Sequence, residues 1–257
     1  MKLSFAFAAL LFAPDTLAWG LQTHVFLAQW VLAAAPLADP RFRAAVTRLP
    51  RLVLAGACMP DLAIAGRLRG ICTFRRSHQW WTLRRLADAA ACDEERAIAV
   101  GYASHLLADV IAHNRFVPEH ERRILSLPHF THALCEWAMD EHLKPGLRTE
   151  PRELLASENA TLIAVAANLF GCPERVARET LRFLARAEHT LRASRLPRVC
   201  KRVLRLFYAD VAPRFDAYVG DTTAQVRRID AVLRGMEPRW QPEPEPGQAL
   251  AQEARAT

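Results

Sequence analysis

The stretch GYASHLLADVIAHN, Gly101–Asn114, holds three polar residues at one helical spacing: His105, Asp109 and His113 stand at i, i+4 and i+8. In an α-helix that spacing stacks them on one stripe, each over the turn before it. The other faces carry Ile98, Val100, Ala103, Leu106, Leu107, Val110 and Ile111. A helix that is apolar nearly all round is buried. A buried carboxylate between two imidazoles is costly unless something pairs it. A bound metal ion would pair all three at once.

Outward from this helix, the composition favours an all-α domain. Ala, Leu and Arg abound, Gly is scarce (10 residues), and strand-like alternation is hard to find. At 257 residues and 51% hydrophobic, the chain is long enough for a substantial core. Its net charge of +7 comes from dispersed arginines. That charge is either background composition or an attraction to anionic substrates such as phosphates and lipid headgroups.

Residues 1–18 read as a signal peptide. Lys2 is a short basic start, Leu3 to Ala13 is an apolar run, and Thr16-Leu17-Ala18 places small residues at the −3 and −1 positions. Eleven apolar residues are too few to span a bilayer as a helix. Cleavage would leave Trp19 first and a secreted or periplasmic protein; an uncleaved anchor is the alternative. None of the six cysteines forms a CxxC pair, which argues against a zinc ribbon. Export would permit disulfides without selecting a pairing.

The remaining punctuation predicts helices over Leu21–Ala35 and Pro40–Leu49, and one capped by Asp93 that contains the opening stretch. Further helices are expected over Phe130–Lys144, Pro151–Phe170, Pro173–Arg192, Arg198–Val219 and Thr222–Arg234. Asp61 falls in a turn-like stretch after Met59-Pro60, and Gly66–Arg76 is basic and irregular. A Pro-, Glu- and Gln-rich tail, 238–257, is expected to be disordered, leaving one domain over 19–237.

The metal-competent groups are His24, Asp61, His78, His105, Asp109, His113, His132 and Glu136. Imidazole nitrogens and carboxylate oxygens together suit zinc. Eight groups exceed one mononuclear site and imply two or three ions, with Asp109 as the natural bridge. Singly, each has a bland reading. A His–Asp pair at i, i+4 is commonly a hydrogen bond, Asp61 can shape a turn, and His78 can join an aromatic surface. What weighs against those readings is that two separate helices each present acid and imidazole one turn apart, His105/Asp109 and His132/Glu136. His129, His142 and Asp140 remain competitors.

In order, Trp19, His24, Asp61, His78, His105-x3-Asp109, His113 and His132-x3-Glu136 resemble the zinc-dependent phospholipase C family, related to the S1/P1 nucleases. The resemblance implies a single-domain helical bundle holding three zinc ions. Asp61, His78, His105 and Asp109 would hold one. Trp19, through its free amino group and carbonyl, would hold a second with His24 and Asp109. His113, His132 and Glu136 would hold the third. Asp61 would also be the general base for the attacking water. The short spacings Trp19–His24 and Asp109–His113 are more similar to the catalytic domain of glycosylphosphatidylinositol-specific phospholipase D, which cuts on the other side of the phosphate.

The function expected first is an exported zinc-dependent phosphodiesterase that hydrolyses phospholipids with metal-activated water and binds no nucleic acid. Phe74, Trp80 and Trp81, beside Arg75 and Arg76, would make peripheral contact with a membrane surface, unless they pack in the core. A nuclease acting on single strands or 3′-nucleotides would use the same metals and stack bases on aromatic rings. A non-catalytic exported metal-binding protein would close every coordination position.

Overall fold

In a computed structural model, residues 20–34, 36–123 and 128–243 are described, with the side chains of 122–130 excepted. Every regular element among them is helical. The helices are α1 (Leu21–Ala34), α2 (Pro40–Arg48), α3 (Pro50–Gly56), α4 (Leu62–Leu68), α5 (Trp80–Ala89), α6 (Asp93–Ile111) and α7 (Val117–Arg123). They continue as α8 (Pro128–Leu143), α9 (Pro151–Ser157), α10 (Asn159–Phe170), α11 (Glu174–Ala193), α12 (Leu196–Phe207), α13 (Val211–Val226) and α14 (Ile229–Leu233). A π-helical turn, Ala112–Phe116, links α6 to α7.

The opening stretch lies in α6 up to Ile111 and then enters the π-helical turn; α6 packs against α1, α2, α3, α5, α13 and α14. Fifteen of its residues are buried, Ala97 to Ile111 without a break. Burying a side chain the size of Ile98, Leu106 or Leu107 contributes about 1.5–3 kcal/mol each. That outweighs the roughly 1 kcal/mol a mid-helix Gly101 costs against alanine. Gly101 is there for contact: a Cβ on it would lie 1.9 Å from the Val53 carbonyl oxygen of α3. Reciprocally, a Cβ on Gly56 would lie 2.5 Å from the Ile98 carbonyl oxygen. Two glycines thus let the backbones of α3 and α6 touch.

Two hydrophobic clusters divide the interior. One gathers Val25, Val53, Ile98, Leu106 and Leu162; the other gathers Leu27, Ala108, Phe116, Met139, Leu204 and Phe215. Both α1 and α6 contribute to each cluster, so these two helices run along the seam.

Several boundaries differ from the sequence reading. Cys92, not Asp93, holds the cap position of α6, and Asp93 opens the acidic first turn that favours a helix dipole. The segment 151–170 breaks at Glu158 into α9 and α10. The segment 198–219 breaks at Tyr208, whose extended backbone ends α12 and whose ring is buried. A short α3 follows Pro50, and α4 occupies part of the stretch read as irregular. The expected signal peptide, Trp19 and positions 244–257 lie outside the described residues. The start of the expected tail is docked: the Trp240 carbonyl accepts from Trp80 Nε1 (3.2 Å) and the Gln241 carbonyl from Asn114 Nδ2 (2.9 Å). All six cysteines are free thiols. Among the described residues, no helix is long and apolar enough to cross a membrane.

Candidate metal centre

Four elements bring side chains to the seam. His24 sits in the first turn of α1, Asp61 just before α4, and His78 in the turn before α5; α6 supplies His105 and Asp109. All five are buried. Two trios have ligand atoms within 4.8 Å of one another: His24, His105 and Asp109, and Asp61, His78 and His105. Asp109 joins them. Its Oδ1 lies 3.4 Å from His24 Nε2, and its Oδ2 lies 3.0 Å from His105 Nε2 and 3.6 Å from His78 Nε2. The rings of His24 and His105 stack at 3.5 Å.

The surrounding hydrogen bonds orient the imidazoles. His105 Nδ1 lies 2.7 Å from the Ala57 carbonyl and donates to it, leaving Nε2 as a lone pair. Ser77 Oγ donates to the Pro60 carbonyl (2.5 Å) and can then accept from His78 Nδ1 at 3.3 Å. His78 Nε2 faces His105 Nε2 across 3.2 Å. Both oxygens of Asp109 and Oδ1 of Asp61 are buried and accept no hydrogen bond. Acceptors therefore crowd together in a buried pocket, an arrangement that needs a positive charge at its centre. A proton is one source: burial opposes protonation of His78, but the Asp61 carboxylate, followed by the charge of Asp109, outweighs it and carries the imidazole to about 9. A divalent cation is the other, and the nitrogen–oxygen donor set fits zinc.

The third expected group assembles only in part. His132 Nε2 lies 2.7 Å from Glu136 Oε1 on α8, and the His113 ring packs edge-on to His132 at 5.3 Å. They are not among the compact trios. His113 sits in the π-helical turn. Its ring meets His132 of α8. Burial, then the charges of His132, His78 and His105, hold its imidazole well below the ordinary range. Burial, then Asp61, Asp109 and Asp140, push the Glu136 carboxyl well above it. A neutral imidazole and a carboxylate short of positive charge are both disposed toward a cation.

Asp61 and Glu136 also line a small cavity of about 60 Å³. Its walls are mainly aliphatic, from Ile64 and Leu68 on α4 and Leu184 and Leu191 on α11, with Phe183 beside them. Glu188 and Arg192 of α11 line it too. Arg192 Nε donates to Glu188 (2.7 Å), and its Nη2 bonds Asp140. Asp140 in turn accepts from the Thr23 amide (2.9 Å) and hydroxyl (2.8 Å), tying down the start of α1. A Cβ on Gly20 would lie 2.1 Å from Asp140 Oδ2, so only glycine fits there.

Of the competitors, Asp140 thus fixes α1 instead of joining the trios. His142 pairs with Asp216 at 2.7 Å on the surface, and the His129 side chain lies outside the described residues. Phe74 and Trp80, expected at a lipid surface, are buried; Trp81 alone is half-exposed, with the Arg76 and Arg85 guanidinium groups over its ring. Glu188 and Arg192 escaped the sequence reading. An acid–arginine pair at i, i+4 on an amphipathic helix is indistinguishable there from Glu174/Arg178, which is solvated.

No curated protein and no solved structure matches the chain. The profile described as zinc dependent phospholipase C matches residues 23–170, more than half the chain and all eight His, Asp and Glu candidates. The chain therefore belongs to the zinc-dependent phospholipase C family.

Proposed function

We propose that this chain is an exported phosphodiesterase that hydrolyses phospholipids with zinc held by His24, Asp61, His78, His105, Asp109, His113, His132 and Glu136, and by Trp19 at a processed amino terminus. The observation that carries the reading is the pair of Nε2 atoms of His78 and His105 facing each other at 3.2 Å, flanked by buried oxygens of Asp61 and Asp109. Three ions per chain are expected, with Asp109 shared between two. Zinc bound there supplies Lewis-acid polarisation of the phosphoryl oxygens and activation of water. The remaining work falls to the protein. Asp61, which lines the cavity, would take the proton of the attacking water. The Ala57 carbonyl and Ser77 keep His105 and His78 in the binding tautomer. The apolar faces of α4 and α11 exclude water and offer hydrocarbon contact, which favours a lipid over a nucleotide.

The test is hydrolysis by purified mature protein of phosphatidylcholine and of single-stranded DNA, side by side. Release of phosphocholine supports a phospholipase C reaction; release of choline assigns the cut to the other side of the phosphate. Hydrolysis of DNA alone would overturn the lipid reading. Metal analysis is expected to give about three zinc per chain, and fewer in Asp109→Asn. A residue added ahead of Trp19 is expected to cost one of them; full metal content and activity in that extended form would remove Trp19 from the site.

A further inference from the structure

Helix α12 turns an unusual face to solvent. Leu206 is 83% exposed, and Val199 and Phe207 are each 49% exposed. Val199 and Leu206 are seven residues apart and share a stripe. Beside that stripe Arg195, Arg198, Arg202 and Arg205 recur at intervals of three and four, all exposed. Arg198 bridges Glu141 at 3.1 Å; among the described residues no ion pair engages Arg195, Arg202 or Arg205. Lys201, half-buried one turn before Arg205, has its ammonium lowered first by burial and then by that guanidinium.

Arg195 adds a separate observation. It is the one non-glycine residue among those described with a positive φ, 59°. Glycine would sit there relaxed, yet the chain keeps an arginine at the entry to α12 and so extends the basic row by one turn.

The occupant follows from charge and shape. A second copy docked by two-fold symmetry would set the arginine row against itself. An anionic bilayer offers phosphates to the arginines and hydrocarbon to two apolar residues at the helix end. We infer that α12 is a docking strip for an anionic phospholipid surface, with Arg195, Arg202 and Arg205 on the headgroups and Leu206 and Phe207 in the acyl boundary. This inference does not rest on the proposed reaction, since adsorption is measured without turnover.

The test is co-sedimentation of the full mature chain with phosphatidylcholine:phosphatidylglycerol 3:1 vesicles and with phosphatidylcholine vesicles. At 50 mM NaCl, binding to the anionic vesicles is expected to be about tenfold tighter, and weakened by 500 mM NaCl. The pairs Leu206→Ser/Phe207→Ser and Arg202→Glu/Arg205→Glu each are expected to reduce it about fivefold with unchanged thermal melts. Arg195→Gly is expected to reduce binding about twofold without lowering the melting temperature, an outcome a purely structural residue would not give. Equal binding by both double variants overturns the inference, as does a wild-type chain indifferent to the anionic lipid. Equally tight binding of polyglutamate would assign the face to an acidic protein instead. Turnover of dihexanoyl phosphatidylcholine, a soluble monomer, is measured in parallel; if it is absent, the reaction falls while vesicle binding still decides the docking strip.

Discussion

Ser77 offers no ligand of its own, yet its hydroxyl sets which nitrogen of His78 carries the proton. Removing it leaves the His78 ring free to choose its tautomer. Ser77→Ala is therefore expected to weaken zinc binding about tenfold, measured by chelator competition, with the fold intact. Sequence reasoning could find His78 but not Ser77. A histidine advertises its chemistry, whereas a serine acquires a role only when the chain between Pro60 and Ser77 closes and its hydroxyl meets the Pro60 carbonyl. The same holds for the Ala57 carbonyl that orients His105, since a backbone oxygen has no signature at all. Thr23 belongs at this scale too. Thr23→Val would strip one hydrogen bond from a fully buried carboxylate and is expected to cost about 1–3 kcal/mol in urea unfolding.

Among elements, the crossing of α3 and α6 governs the site. Backbone contact at Gly56 and Gly101 is what allows the Ala57 carbonyl to reach His105. Gly101→Ala drives a methyl into the Val53 carbonyl and is expected to cost about 3 kcal/mol or more, read from chemical denaturation. The surviving folded fraction is expected to bind metal poorly, because the helices must part to admit the methyl. The helical character of α6 and the pairing of His105 with Asp109 were legible from spacing, since both depend on local periodicity. The position of His113 was not. An α-helical count places it one turn after Asp109 but does not reveal the ring it meets, His132 on α8, or the π turn it sits in. The break at Tyr208 was half-legible. The apolar pattern runs on through it, but Pro213 falls in the first turn of α13, where a helix start tolerates proline.

At the level of the whole molecule, buried carboxylates and imidazoles drawn from five elements join two hydrophobic clusters. A cation bound at the centre would relieve their electrostatic cost, so metal binding and folding are expected to be coupled. Stripping the mature protein with a chelator is expected to lower its melting temperature by several degrees, and added zinc to restore it. A melting curve indifferent to both would show that the centre needs no metal to hold together. The all-helical architecture was legible because it follows from composition and proline punctuation spread along the chain. The buried Asp140–Arg192–Glu188 network was not, because it is assembled from residues as far apart as 23 and 192.

That network also bears on timing. The bonds from Thr23 to Asp140 span 117 residues, so this anchor of the start of α1 waits for α8, and Arg192 comes later still. In a chain that emerges amino end first, α1 comes out ahead of every other described helix, yet its bond to Asp140 forms only after α8 has emerged. Loading of the ion shared by His24 and Asp109 is therefore expected to be a late event in maturation. It waits on the chain after Glu136, which supplies none of the proposed ligands yet carries Asp140 and Arg192.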